Sequence, residues 1–340
     1  MKVLVTGANG LLGANLIRKL IGTGEEVRAF VRPSADISVL AGTECDIFYG
    51  NILNYQDISK AVADCTCIVH AASTTSVVPR DFDFYKKINV EATKNIIRTA
   101  LHGNKKLVYV STANTFGPGS KEKPGTELSD FTLGNYHSGY INSKQIAQQC
   151  VLEAVKNDGL NAVVINPTFI VGPYDAKPSS GKLILFALRH GIQWCPEGGK
   201  NFVYAGDVAN GIYRALLGGK SGECYLLTGE NLTYKEFFTL LNETTGRGPL
   251  QLKIPKSLMR ATGSIVDLWS HVSRHKFAFT RANAELFTLD NYYSGEKANQ
   301  EFNLMTTPIK EAIKEAVDWF KKENYVSKDG YSIHGTNLDL

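Results

Sequence analysis

Tyr140 and Lys144 stand four residues apart in Tyr140-Ile141-Asn142-Ser143-Lys144, a spacing that puts both side chains on one face of a helix. A phenol with a pKa of about 10 is a weak acid at neutral pH. An adjacent ammonium favours the phenolate and brings the group toward a working range. The pair can therefore give a proton to a substrate oxygen or take one from it. A second match, Tyr293 to Lys297, carries Gly295 between its members, and glycine weakens a helix there. Only Tyr140 lies downstream of a strand-like run that ends in hydroxyls, Val110-Ser111-Thr112. Thr112 is placed to hydrogen-bond the same oxygen.

The second chemistry is anion binding. The run Lys2–Thr6 leads directly into Gly7-Ala8-Asn9-Gly10-Leu11-Leu12-Gly13. In a strand–turn–helix of this kind the first glycine allows the bend, the second lets a pyrophosphate approach the backbone, and the third lets helix pack on strand. The anion then rests on the helix N-terminus. The next strand ends Phe30-Val31-Arg32-Pro33-Ser34, with no acid before Asp36. A carboxylate there would hold a ribose diol, whereas the Arg32 fork suits a phosphate, and Ser34 can add a hydroxyl. The cofactor expected is NADP(H) rather than NAD(H).

These groups need elements to hold them. Short β-branched runs at Lys2–Thr6, Glu26–Val31, Asp46–Tyr49, Cys67–His70, Lys106–Val110 and Asn161–Asn166 alternate with helical stretches such as Leu11–Ile21 and Phe84–Leu101. For the latter, Asp83 and Gly103 sit at the expected cap positions. Six strands with helical crossovers predict an α/β doubly wound parallel sheet, and strand carboxyl ends face its ligand crevice. After Asn166 the rhythm breaks at Pro167, Gly172, Pro173, Pro178 and Gly181. Gly181–His190, Thr233–Thr245 and Pro308–Lys322 then read as helices of a smaller, mostly helical lobe. The expected division is a dinucleotide-binding part over 1–167, joined again by about 195–217 with a strand near Asn201–Ala205. A substrate lobe covers 168–194 and 218–326, and a polar tail 327–340.

Taken together, the motifs resemble the extended short-chain dehydrogenase/reductase family over roughly residues 1–325. They are Thr6 to Gly13, His70-Ala71-Ala72-Ser73, Asn89-Val90-Glu91-Ala92-Thr93, Val110-Ser111-Thr112, Tyr140 to Lys144, and Asp207-Val208-Ala209. The resemblance implies a Thr112, Tyr140, Lys144 triad beside the nicotinamide, with Lys144 also holding its ribose. It implies cofactor contacts from Gly7, Asn9, Gly10, Leu11, Leu12, Gly13, Arg32, Asn51, Ile52, Ala71, Ala72, Ser73, Asn89, Asn166 and Pro167. Asn51 stands where the family usually has an adenine-binding Asp, and its amide oxygen can still accept.

Asn166-Pro167-Thr168 followed by Gly172-Pro173 looks like the dihydroflavonol-reductase-like branch, which reduces carbonyls with NADPH. Thr74, Thr112, Phe169, Ile170 and Tyr174 would then line the substrate pocket. Nucleotide-sugar enzymes of the family commonly have Arg at the Lys200 position, and a lysine lacks its bidentate fork.

Composition narrows the field. The 340 residues carry 37 Lys+Arg against 33 Asp+Glu, with no basic block to track nucleic acid. The longest apolar run, Leu183–Leu188, is far short of a membrane span of about 20 residues. The N-terminal apolar stretch is too short for a signal peptide. Six scattered cysteines suit a reducing cytoplasm. His271 and His275 are four apart but lack a third ligand, and Cys65-Thr66-Cys67 reads as a buried cysteine plus a turn residue, so no metal is expected. Leu258, Ile265, Leu268 and Trp269 in a helix Lys256–Arg274 are expected to pack on the main sheet.

The reading is an NADPH-dependent reductase of small-molecule carbonyls, without nucleic-acid or membrane partners. The resemblance implies a homodimer built on Phe84–Leu101 and the helix of Tyr140. Two alternatives stay open: a nucleotide-sugar epimerase or dehydratase with tightly bound NAD, and a non-catalytic NADP(H)-binding sensor or scaffold.

Overall fold

A computed structural model of the chain describes residues 1–76, 81–189, 191–273 and 280–327. Its strands are β1 (Lys2–Thr6), β2 (Glu26–Val31), β3 (Asp46–Tyr49), β4 (Cys67–His70), β5 (Lys106–Val110), β6 (Ala162–Pro167), β7 (Phe169–Val171), β8 (Ile192–Pro196), β9 (Gly199–Tyr204), β10 (Cys224–Leu227), β11 (Glu230–Thr233), β12 (Leu250–Ile254) and β13 (Asp290–Asn291). The helices are α1 (Leu11–Gly22), α2 (Tyr55–Val62), α3 (Phe82–Tyr85), α4 (Ala92–His102), α5 (Gly139–Asp158), α6 (Lys182–Arg189), α7 (Ala205–Gly218), α8 (Tyr234–Thr245), α9 (Lys256–Ser273), α10 (Arg281–Phe287), α11 (Glu296–Phe302) and α12 (Ile309–Lys322).

The main sheet is seven-stranded and parallel, ordered β10-β6-β5-β4-β1-β2-β3. Apart from the edge strand β3, its strands are largely buried on both faces, and the two-residue alternation sorts their side chains. Val3, Val5, Ala29, Val69, Val108 and Ile165 pack with α1 and α7, while Leu4, Phe30, Ile68, Leu107 and Val164 pack with residues of α2, α4 and α5. Strand order reverses between β1 and β4, so the loops leaving their carboxyl ends splay to opposite faces and open a crevice. That crevice is where the glycine turn, Ala71 to Thr74 and Thr112 emerge.

A third core gathers Leu185, Phe202, Tyr234, Phe237, Ile313, Val317 and Phe320 from the later elements. A four-stranded sheet of β7, β9, β11 and β13 lies there, with the pair β8–β12 beside it.

Several sequence expectations change. The strand near Asn201–Ala205 belongs to β9 of the smaller sheet, and the strand that rejoins the main sheet is β10. What returns to the main sheet from that stretch is α7, whose Val208, Ala209 and Ile212 share a core with α1. The helix expected over Phe84–Leu101 starts at Phe82 behind Asp81 and contains a π-helical turn, Lys86–Glu91, so Asp83 lies inside its first turn. The last strand of the first half ends one residue later than expected, at Pro167. Tyr293 and Lys297 share no helix, because Gly295 caps α11 between them. Helix α9 does not pack on the main sheet: Gly263 lets α10 approach one flank, and Leu258, Ile265, Leu268 and Trp269 are exposed. Residues 328–340 of the tail lie outside the described residues.

Candidate active site

The glycine turn is fixed by sterics. Gly7 sits at φ +70°, where a side chain is strained, and a Cβ on it would come within 2.7 Å of Ala72 N. A Cβ on Gly13 would lie 2.2 Å from the Gly7 carbonyl oxygen, so α1 can cross β1 this closely only with glycine. Gly10 differs, for its nearest neighbour would be 3.4 Å away. It is exposed at the N-cap of α1, which has no side-chain cap and no acid in its first turn. The helix therefore presents uncapped N–H groups and the positive end of its dipole over an open glycine, a fit for a pyrophosphate.

The flanking residues divide into those that face the crevice and those that shape it. Leu11 is buried behind the turn and Leu12 half-buried beside it. Asn9 spends its amide on the Asp36 carbonyl at 2.9 Å, tying the turn to the chain after β2. Arg32 is exposed just after β2, and among the described residues its side chain makes no hydrogen bond or ion pair. Asn51 is committed to its own turn, with Oδ1 accepting from Leu53 N at 3.0 Å and its N–H donating to Asp57 at 2.8 Å. Ile52 packs against the second face of the sheet.

Behind the crevice runs a buried polar line that sequence did not reveal. Ala72 N donates to Thr6 Oγ1 (3.2 Å), Thr6 Oγ1 lies 2.8 Å from His70 Nδ1, His70 Nε2 lies 3.1 Å from Thr93 Oγ1, and Thr93 Oγ1 donates to the Asn89 carbonyl (2.7 Å). Thr93 has spent its proton, so His70 Nε2 must be the donor and Nδ1 the acceptor. Burial, aided by the Lys144 charge, holds the imidazole pKa at about 3. His70 is therefore a neutral strut.

Asn89, in the π-helical turn, accepts from Thr74 N (2.8 Å) and Ser73 Oγ (3.1 Å) and donates to the Thr74 carbonyl (3.2 Å) and Ser143 Oγ (2.9 Å). It clamps the loop Ala71–Thr74 to the residue before Lys144.

Ser138 caps α5, accepting from Ile141 N, and so starts the helix beside Tyr140. Lys144 is buried, donates to the Val110 carbonyl at 2.7 Å and lies 4.4 Å above the Tyr109 ring. No carboxylate pairs with it among the described residues, and burial brings its pKa down to about 7. Burial raises the Tyr140 phenol pKa, and the Thr112 hydroxyl beside it pulls the other way. Thr112 Oγ1 accepts from Asn114 N at 3.3 Å, which leaves its own proton to donate. Its carbonyl is pinned by Asn166 Nδ2 (3.1 Å) and Thr115 Oγ1 (2.8 Å), and Asn166 is braced by Gln148 Oε1 (2.7 Å). Asn166 and the adjoining Pro167 thus hold the end of β6 against that of β5 from behind. The sequence motifs contain no trace of Gln148.

Phe169 and Ile170 are half-buried on β7, and the Lys200 ammonium lies 5.7 Å from the Phe169 ring. Burial lowers the Lys200 pKa to about 8. Ile170 and Tyr174 both pack on the main-sheet core, whereas Phe169 packs on the third core. The Tyr174 backbone is at φ +72°, and its ring lies 3.7 Å from the Arg18 guanidinium of α1.

Among the described residues no group of three His, Cys, Asp or Glu could hold a metal, and the His275 of the proposed pair lies outside them. Cys65 and Cys67 are both buried and free, the first just before β4 and the second its first residue.

A family model described as "NAD dependent epimerase/dehydratase family" matches residues 3–227. "Sterol demethylase protein B" of Methylococcus capsulatus is 30% identical over 333 residues, covering 96% of this chain and all of that one (100%). The "4-hydroxy-2-methyl-3-oxo-4-farnesyl-3,4-dihydroquinoline-1-oxide ketoreductase" of Stigmatella aurantiaca is 30% identical over 275 residues, covering 79% and 81%. A solved structure of gox2253 superposes with a TM-score of 0.85 at 28% identity, covering 96% of this chain and 99% of that one. With the glycine turn, the crevice and the Thr112, Tyr140, Lys144 cluster in place, the chain belongs to the NAD dependent epimerase/dehydratase family, the extended short-chain dehydrogenase/reductases.

Proposed function

We propose that the protein is an NADPH-dependent carbonyl reductase that converts a ketone or aldehyde to an alcohol. The observation that carries the reading is Lys144. It is a buried amine with no carboxylate partner, held on the Val110 carbonyl one helical turn from Tyr140, while Thr112 presents a free hydroxyl proton to the same place. An ammonium without a counter-charge favours a negative phenolate beside it.

Residues that would hold the dinucleotide fit it. The Gly7–Gly13 turn and the uncapped start of α1 suit its pyrophosphate, Arg32 a 2′-phosphate, Asn51 and Ile52 the adenine side, and Ala71, Ala72 and Ser73 the opposite wall. Lys144 would hold the nicotinamide ribose. When bound, a reduced nicotinamide supplies hydride to the carbonyl carbon. Thr112 donates a hydrogen bond to the carbonyl oxygen, Tyr140 hands its phenolic proton to the developing alkoxide, and Lys144 stabilises the phenolate left behind. General acid catalysis of this kind is worth about 10²–10⁴ in rate. The name ketoreductase on one relative supports the reaction class, and Lys200 in place of a bidentate arginine argues against a nucleotide-sugar diphosphate.

Tyr140→Phe should lower turnover of a carbonyl panel by about 10²–10⁴, with NADPH affinity unchanged by titration. Full turnover in that variant overturns the assignment. So does a purified protein holding NAD⁺ tightly with no net NADPH consumption. Arg32→Ala should raise the Michaelis constant for NADPH far more than for NADH, and equal effects refute the 2′-phosphate role. We assign the protein to the cytoplasm on its six free cysteines. A homodimer across α4 and α5 is supported by the exposure of Ile146 on α5.

A further inference from the structure

Lys200 is a cation that the proposed chemistry does not use. It is half-buried on β9, yet among the described residues its ammonium meets no carboxylate and makes no hydrogen bond. Burial alone lowers its pKa, with no neighbouring charge contributing. An ammonium has three N–H donors, and holding it away from water without a partner costs free energy. Two routes join this lysine to the crevice. Its ammonium lies 5.7 Å from the ring of Phe169, which opens β7 two residues beyond Pro167 at the carboxyl end of β6. Across the parallel pair β9–β13, Asn291 is the register partner of Lys200, which puts both side chains on one face of the sheet. Asn291 Nδ2 donates to Asn114 Oδ1 at 3.3 Å, and Asn114 N donates to Thr112 Oγ1 at 3.3 Å. One asparagine thus links the strand position of Lys200 to the loop that carries Thr112.

A second unpaired group stands on the same face. Asn291 is only 6% exposed, and its Oδ1 is buried without a hydrogen-bond partner. Buried polar groups are paired as a rule, so an orphan acceptor and a free ammonium on adjacent strands point to a ligand. That ligand must bring negative charge. Lysine is a point charge rather than a fork, and one cation balances one anion, which suits a carboxylate and not a diphosphate. The Phe169 and Phe202 rings meet edge to face at 5.3 Å, so the wall beside the ammonium is apolar. A charge pair there is screened far less than in water.

We propose that Lys200, with Asn291 beside it, binds a carboxylate carried by the carbonyl substrate, so that the substrate class is an oxo acid with an apolar body. The assignment rests on the reductase reading and names what that site selects. The carboxylate pairs with the Lys200 ammonium, which gives a further proton to Asn291 Oδ1, while the substrate carbonyl lies at Thr112 and Tyr140. A neutral ester of the same acid leaves the ammonium unpaired, and a site built around a buried polar partner rejects the analogue that lacks it.

The test uses the full chain with benzoylpropionate and benzoylbutyrate, whose carboxylates stand at two distances from the ketone, and with their methyl esters. Binding is read by calorimetry in the presence of NADP⁺, and turnover by NADPH consumption. Wild type should bind at least one acid about 10–100-fold more tightly than its ester, and the Michaelis constants should follow. Lys200→Met should erase that gap by weakening the acid alone, and Lys200→Arg should keep it. Because Lys200→Met removes a buried unpaired charge, it should melt no lower than wild type, which separates loss of the site from loss of the fold. The proposal is overturned if wild type binds neither acid, if acid and ester bind alike, or if Lys200→Met keeps the preference. Reduction of the esters as readily as the acids overturns it and leaves the reductase reading standing. Acid binding that needs Lys200, with no turnover of any carbonyl, supports the carboxylate site and overturns the reductase reading instead.

Discussion

On the proposed reductase reading, Lys144 couples catalysis and stability with opposite signs. Its burial brings the ammonium from 10.5 down to about 7. In the free enzyme the charged form that supports Tyr140 is held below about pH 7 and lost above it, so kcat/KM for carbonyl reduction should fall as pH rises through about 7. Folding responds the other way. Between about 7 and 10.5 the unfolded chain binds a proton that the folded chain does not, and stability from this group rises with pH across that window. Lys144→Met should remove both effects, flattening the activity limb at a much lower rate and reducing the rise of melting temperature with pH relative to wild type. An unchanged difference between the two proteins from pH 7 to 10 refutes the assignment.

Asn89 makes a second claim at this scale. Asn89→Ala orphans Thr74 N–H and removes the link to Ser143, at about 1–3 kcal/mol for a buried group left unpaired. Melting should detect that cost, and the freed loop should raise the Michaelis constant for the dinucleotide. Tyr140 and Lys144 were legible in sequence because their relation is local, one helical turn. The line from Thr6 through His70 and Thr93 to Asn89 was not, because its members are far apart in the chain and no periodic pattern says that they meet.

At the scale of elements, the first turn separates packing from binding. Gly13→Ala puts a methyl on the Gly7 carbonyl, where backbone has nowhere to move, so it should cost about 2 kcal/mol or more, as overpacking of a fixed site does. Gly10→Ala has room in the protein itself and should fold within about 1 kcal/mol of wild type. Its methyl nevertheless occupies the space an anion needs, so NADPH affinity should fall. A melt and a cofactor titration on both variants check the contrast, and equal stability losses would show that the two glycines do the same job.

Strands β1 to β5 were readable from their β-branched runs between helices. The four residues of β10 were not, since Cys-Tyr-Leu-Leu after a glycine-rich turn has no period of its own and gains its place only from β6. The π-helical turn at Lys86–Glu91 was also hidden, because one extra residue per turn barely disturbs the apolar spacing. Helix α9 was misread for a different reason. Periodicity reports that a helix has an apolar face but not whether the fold covers it, and α9 has one covered flank and one bare.

The whole molecule is less divisible than its two sheets suggest. The edge strand of the main sheet, β10, is supplied after the smaller sheet has begun with β7 and β9, and α7 between them packs on α1. Asn201 in the smaller sheet bonds Thr168, Gly229, Asn231 and the Tyr293 carbonyl. Glu127 accepts from Leu226 N of β10 at 2.7 Å, and Asp207 at the start of α7 accepts from Thr307 N at 2.6 Å and Thr307 Oγ1 at 2.9 Å. Each lobe therefore completes the other, and neither has a boundary crossed by few contacts, as a separable domain would. The full chain should unfold in one calorimetric transition with equal van't Hoff and calorimetric enthalpies. A fragment ending at residue 222 keeps every residue of the proposed catalytic and cofactor site, yet it lacks β10. The edge of β6 is then left unpaired, the Leu226 and Leu227 side chains are missing from beneath Phe116 and α7, and an open buried strand is a template for aggregation. It should fail to bind NADPH and should aggregate or melt without cooperativity. A soluble fragment with the melting temperature of the full chain, or two resolved transitions in the intact protein, would show instead that the catalytic half folds alone.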